Sequence, residues 1–260
     1  MKFLTKDQVF DKRYIQKTLS DYQKNIRAVD LFCGCGGFSL GFIQAGINVV
    51  CGVDADYGAL QTYWCNLCGP GSIWVNKNDP RKRKKKPILK GDGIELDCSG
   101  PGSGWLAGHP EAKPVKALIQ RDINDVTGDD ILDAAGVDKV ECVFGSPPCQ
   151  SFSQMSSFKK TIGHPLDYLC FEFARIILEL NPDCIAMENV PPFVKKKLWD
   201  GRRILDVFID IIENHNWELY YEIKYNRWWH ENNIKPMRIE RIQISNDDLP
   251  EGIMSVVEVF

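Results

Sequence analysis

Arg27-Ala-Val-Asp-Leu-Phe-Cys-Gly-Cys-Gly-Gly37 is a short apolar run that breaks into a glycine cluster, and Phe38 to Ala45 behind it has helical character. An apolar strand that turns through glycines into a helix is the opening unit of a strand–helix–strand fold. The same alternation repeats along the chain. Asn48 to Val53 is a second apolar run and leads into a helical segment through Tyr63; Val140 to Phe144 and Asp183 to Met187 are a third and a fourth. Between the last two, Leu169, Phe173, Ile176, Ile177 and Leu180 recur at helical intervals within Leu166 to Leu180, and Asn181-Pro182 ends that helix. Ile204 to Ile212 predicts a further helix, and Glu218 to Tyr225 and Arg241 to Ile244 read as strands. Strands alternating with helices predict an α/β fold, a doubly wound and mostly parallel sheet with helices on both faces. Ligands of such sheets sit beyond the carboxyl ends of the strands.

The 260 residues suit one large domain, and 44% hydrophobic with 26% charged residues excludes a mostly disordered or collagen-like chain. No apolar run approaches the ~18 residues of a membrane span. The first residues, MKFLTKDQVFDKR, are too polar for a secretory signal. The ten cysteines sit mostly in apolar runs, which predicts reduced thiols and a cytoplasmic protein. The net charge of −3 excludes a globally basic nucleic-acid binder. It hides an uneven distribution: residues 71–90 carry eight basic side chains against one acid, a balance of +7 that leaves −10 for the rest. Arg81 to Lys86 reads either as a solvated loop or as a strip that contacts phosphates. Six glycines and three prolines follow in residues 91–114, so 66–116 reads as an excursion inserted into a single domain spanning 1–260.

Three constellations fall at predicted strand ends. In the first, glycines let backbone approach a ligand, but Ser39 stands where the nicotinamide fingerprint requires a glycine after Gly34 and Gly36. Asp54 ends the next strand, where an acid accepts hydrogen bonds from a ribose diol. A glycine turn with such an acid fits a nucleoside cofactor such as S-adenosylmethionine. The second is Gly145-Ser-Pro-Pro-Cys-Gln-Ser-Phe-Ser153, in which two prolines stiffen the approach to Cys149. Its polar surroundings suit a thiolate better than a buried structural cysteine. The third is Glu188-Asn189-Val190, an acid at the end of a strand expected to be buried. A nucleophile on one strand end and an acid on the next suits covalent catalysis.

DLFCGCGGFSLGF, SPPCQSFS and AMENVPPF, in that order and spacing, resemble the first, fourth and sixth motifs of the cytosine-C5 DNA methyltransferase family. The resemblance runs from about Ile26 to Phe193, is interrupted by 66–116, and continues weakly to about Ile244. It implies a Rossmann-like methyltransferase fold with S-adenosylmethionine as donor and double-stranded DNA as substrate. By motif match, Phe32, Gly34 and Gly36 line the cofactor and Asp54 takes the ribose hydroxyls. Asp122 resembles the family's adenine-contacting acid and Ile123 its adenine-packing neighbour; Pro148 borders the donor, with Leu169 packed nearby. Cys149 is implied as the nucleophile, Glu188 as the group that stabilises charge on the ring, and Asn189 as support for that loop.

Two departures qualify the match. The family's eighth motif, P-Q-x-R-x-R, is represented by Pro236-Met-Arg-Ile-Glu-Arg241, in which Pro236 and Arg241 fit while Met237 and Ile239 do not. Little chain follows, so a target-recognition domain and the last two motifs are expected on a second protein subunit, with a fragment or a diverged enzyme as alternatives. A tRNA cytosine-C5 methyltransferase and a catalytically silent nucleic-acid-binding subunit are the rival functions; Ser151-Phe-Ser153 resembles the DNA branch. A zinc site on Cys65, Cys68, Cys98 and His109 rests on one C-x-x-C and is not expected.

Overall fold

In a computed structural model the described residues are 26–76, 100–148, 168–198 and 200–231. Six parallel strands form one sheet: β1 (Arg27–Leu31), β2 (Asn48–Asp54), β3 (Cys68–Val75), β4 (Val115–Gln120), β5 (Cys142–Gly145) and β6 (Cys184–Met187), in the order β3-β4-β2-β1-β5-β6. The central strands are buried on both faces, as expected of runs such as Asn48–Asp54 that are apolar without alternation. Helices α1 (Gly37–Gln44) and α2 (Tyr57–Leu67) cover one face, where Phe42 stacks on Phe144 of β5 at 3.9 Å. Helices α3 (Gly128–Ala135), α4 (Leu169–Leu180), α5 (Ile204–Glu213) and α6 (Trp217–Glu231) cover the other. The doubly wound α/β architecture is the one the sequence predicts.

Local chemistry sets the helix ends. The Asp56 carboxylate accepts the Ala59 N–H at 2.7 Å to start α2. Thr127 and Asp130 close a capping box at the head of α3. Asn181, with φ 44°, ends α4 just before Pro182.

Three expectations are corrected. Glu218 to Tyr225 is helix, not strand: Leu219, Tyr220 and Ile223 are buried at helical spacing while Tyr221 and Tyr225 face out. Asn216 Oδ1 accepts the Leu219 N–H at 2.9 Å, an N-terminal signal for that helix. The 66–116 stretch is not wholly an excursion, since it contains β3 and leads into β4. Strand β3 was hidden by Gly69-Pro70-Gly71, which reads as a turn; the strand tolerates it because it lies at the sheet edge and its register breaks between Cys68 and Ile73. Third, Cys65 is disulfide-bonded, against the expectation that every thiol is reduced. Cys33, Cys51, Cys68 and Cys142 are free thiols and buried, and burial pushes the Cys33, Cys51 and Cys68 thiols up. Among the described residues no group of three or more His, Cys, Asp or Glu side chains is placed to hold a metal ion, and no helix is long and apolar enough to cross a membrane.

Candidate active site

Because all six strands run parallel, their carboxyl ends share one edge of the sheet. Along it stand, in spatial order, Asp122 after β4, Asp54 at the end of β2, the glycine turn after β1, Pro148 after β5 and Glu188 after β6. Adjacent strands lie about 4.8 Å apart, so this crest spans about 19 Å. The direction of winding reverses between β1 and β5, the topological switch point at which such sheets bind ligands.

The glycine turn is built tightly. Phe32 and Gly34 have φ of 58° and 50°, and Gly36, with φ 89°, serves as the N-cap of α1. A Cβ on Gly36 would lie 2.7 Å from both Tyr63 and Leu67, so both conformation and packing require glycine there. Around Gly34 a Cβ would meet nothing within 4 Å, which leaves its backbone open for a ligand. A non-glycine residue in the left-handed region, as at Phe32, costs on the order of 1–3 kcal/mol and is held by its surroundings. Here the Cys33 N–H donates to the Val53 carbonyl at 3.1 Å and the Gly36 N–H to the Cys33 carbonyl at 2.9 Å.

Asp54 is half-buried and fixed through both oxygens. Oδ2 accepts the Gly34 N–H at 2.9 Å and Oδ1 the Asp56 N–H at 2.8 Å. The acid is thus locked to the glycine turn. Asp122 is exposed and accepts the Asn124 N–H at 2.9 Å and the Asn124 amide at 2.6 Å. Arg121 N–H donates to the Asp54 carbonyl at 3.1 Å, which ties the two acids' strand ends together. Ile123 is 5% exposed and belongs to the core, and Leu169 is half-buried against that same core.

Beneath the turn lies a network that sequence reading missed. Asp30 is buried, and its Oδ2 accepts the Ser39 hydroxyl at 2.6 Å; Ser39 Oγ is 2.7 Å from the Tyr63 hydroxyl. With the one Ser39 proton given to Asp30, Tyr63 donates to Ser39. Burial pushes the Asp30 carboxyl from 3.8 up to about 7, with a smaller upward push from Asp54, while the Ser39 hydrogen bonds pull it down. The signal was present: an aspartate within a strand whose other positions from Ala28 to Leu31 are apolar needs a partner, and Ser39 is the polar residue on the buried face of α1.

On the other side of the switch point, the Asn189 side-chain N–H donates to the Pro147 carbonyl at 3.2 Å and the Glu188 backbone N–H to the Gly145 carbonyl at 3.0 Å. The strand ends carrying Pro148 and Glu188 are therefore joined. A Cβ on Gly145 would stand 2.0 Å from the Leu31 carbonyl oxygen, so no side chain fits at this seam between β1 and β5. Glu188 is exposed, not buried as the sequence suggested, because among the described residues β6 ends the sheet and is only partly covered. Cys149 and Arg241 lie outside the described residues, as do Arg81 to Lys86.

The family model described as C-5 cytosine-specific DNA methylase matches residues 26–101 and 112–227. Type II methyltransferase M.XorII of Xanthomonas oryzae pv. oryzae is 26% identical over 193 residues, covering 74% of this chain and 34% of that protein. Type II methyltransferase M.HgiDI of Herpetosiphon aurantiacus is 29% identical over 165 residues, 64% of this chain and 37% of its own. Type II methyltransferase M.HgiGI of the same organism is 27% identical over 165 residues, covering 64% of this chain and 90% of that protein. This chain spans between about a third and about half of the length of most such relatives.

Proposed function

The chain belongs to the C-5 cytosine-specific DNA methylase family, and from that premise we propose that it methylates C5 of cytosine in double-stranded DNA, with S-adenosylmethionine as donor and Cys149 as nucleophile. The observation that carries this reading is the order of groups along the crest. The acids and the glycine turn suited to a nucleoside lie on one side of the β1/β5 switch point; Pro148, Glu188 and Asn189 lie on the other.

The cofactor side has room for its ligand: the backbone at Gly34 is open, and half-buried Asp54 has acceptor lone pairs beyond the two used by Gly34 and Asp56. Asp54 would hold the ribose hydroxyls, Asp122 the adenine, and Phe32, Gly34, Gly36 and Pro148 the sulfonium end. When bound, S-adenosylmethionine supplies an electrophilic methyl group. The protein's part is to make C5 able to receive it. Cytosine C5 is electron-poor, and addition of the Cys149 thiolate to C6 turns the ring into an enamine whose C5 is nucleophilic. Glu188, at N3 and the exocyclic amine, stabilises the charge that develops on addition, and Asn189 holds the loop through the Pro147 carbonyl. Loss of the C5 proton and elimination of the thiol then restore Cys149. The base must leave the stack for C6 to be reached, and Arg241 would help to hold it.

A second polypeptide completes the reading, docked on the β6 side, where every residue of the outermost strand is at least partly exposed. It would carry target recognition, and the pair would act in the cytoplasm within a restriction–modification system. The test of the chemistry uses duplex DNA containing 5-fluorocytosine, with S-adenosylmethionine and any partner protein. Fluorine cannot leave as a proton does, so a covalent complex should accumulate. Cys149→Ala should abolish it while cofactor binding persists; trapping that survives the substitution refutes the assignment.

A further inference from the structure

Arg175 is a cation buried in the middle of α4, 7% exposed, with four of its five N–H donors paired. Its Nε donates to Glu172 Oε2 at 2.7 Å and its Nη1 to Glu179 Oε1 at 2.7 Å. Its Nη2 donates to two backbone carbonyls, Ile123 at 2.8 Å and Val126 at 2.9 Å. The carboxylates are themselves held: Glu172 Oε1 accepts the Tyr220 hydroxyl at 3.1 Å and lies 3.3 Å from Lys224 Nζ, and Glu179 Oε2 accepts the Gly128 N–H at 2.7 Å. A buried guanidinium carries a large desolvation penalty, which these bonds to two carboxylates and two carbonyls offset. A lysine, a single point donor, cannot span two carboxylates and two carbonyls.

The two carbonyls belong to the turn that follows β4. Ile123–Asp125 is a three-residue 3₁₀ turn, closed by Asp125 N–H to the Asp122 carbonyl at 2.9 Å and Val126 N–H to the Ile123 carbonyl at 3.3 Å. So short a turn does not fix its own orientation. Asp122 stands at its head, exposed on the crest, while Arg175 holds the carbonyls of Ile123 and Val126 within the same turn. At the same time Glu179 anchors the start of α3 just behind it.

We propose that Arg175, set by Glu172 and Glu179, is the positioning residue for the turn Asp122–Val126 and thereby fixes how the site recognises the amino group of the cofactor's adenine. This rests on the reading of Asp122 as the adenine contact. The experiment measures calorimetric binding of S-adenosylhomocysteine and of its inosine counterpart, whose ring presents an oxygen where adenine presents an amine. The wild-type protein should prefer the adenine form by on the order of tenfold or more, because an acceptor facing Asp122 leaves a carboxylate unpaired. Arg175→Lys should cut that preference to about twofold or less while the melting transition stays cooperative. Should that variant not fold, Glu179→Gln decides; it keeps an acceptor for Gly128 N–H but loses the charge facing Arg175, and the preference should fall by about half or more. A wild-type protein without preference overturns the Asp122 reading and the inference with it. A preference kept in Arg175→Lys, even with both affinities lowered equally, overturns the role of Arg175 alone and leaves Asp122 standing.

Discussion

On the β4–β2–β1 side of the crest, each functional group is tied to a neighbouring strand or to the core. Asp54 holds the glycine turn through Gly34, Asp122 sits on a turn gripped by Arg175, and the turn rests on buried Asp30, Ser39 and Tyr63. On the β5–β6 side, Glu188 is exposed on the outermost strand, and its tie to β5 is the backbone bond to Gly145. On the proposed reading, the cofactor half is preorganised within this chain. The acceptor half, on that reading, consists of exposed or half-buried positions at the ends of β5 and β6. Such a division would suit the proposed reaction, in which the same donor is bound at every turnover whereas the target base is admitted and released.

The seam between the halves gives the largest predicted effect. Gly145→Ala places a methyl group 2.0 Å from the Leu31 carbonyl and should cost about 5 kcal/mol or prevent folding, read by urea denaturation. A fully stable variant would mean that β1 and β5 can part, and the halves would not share one rigid edge.

Next comes the buried acid under the cofactor half. Asp30 binds its proton more tightly in the folded chain than in the unfolded one. The stability this contributes is complete below about pH 3.8 and is lost as pH rises to about 7. The whole swing is on the order of 4 kcal/mol. Asp30→Asn should remove it, so the stability of the variant relative to wild type should rise across that window. Parallel pH profiles for the two proteins would mean that the carboxylate finds compensation elsewhere.

The smallest effect is the most direct test of the division. Glu188→Gln should lower turnover about a hundredfold and leave S-adenosylmethionine affinity within about twofold of wild type. Asp54→Asn should weaken that affinity about tenfold and disturb the fold of the glycine turn through Gly34, whereas its effect on turnover at saturating donor should be small. If both substitutions change both quantities alike, the crest works as one unit.

The crest was legible where one residue type has one use. Gly34, Gly36, Asp54 and Glu188 stood out because a glycine turn, a strand-end acid and their spacing leave a local trace in the sequence. What escaped depends on partners distant in the chain. Ser39 with Tyr63 and Arg175 with the Ile123 carbonyl join residues 24 and 52 positions apart, and no periodicity records such a pairing. The strand β3 escaped because Pro70 is acceptable only at a sheet edge, and strand order cannot be seen before the sheet is built. Helix α6 was misread for a related reason: Trp217, Tyr221 and Tyr225 stack at intervals of four, yet aromatic residues that favour strands dominate the segment.

The place of β1 in the middle of the sheet also sets a timetable for assembly. One neighbour, β2, follows it by about twenty residues, but Leu31 pairs on its other side with Gly145. During synthesis the first strand, its glycine turn and α1 must therefore wait with one flank open while more than a hundred residues are added. Pairings this distant in sequence slow folding and expose apolar strands meanwhile. A ribosome stalled before residue 145 should hold a chain that a protease cuts within 27–54, and release of β5 should close that window.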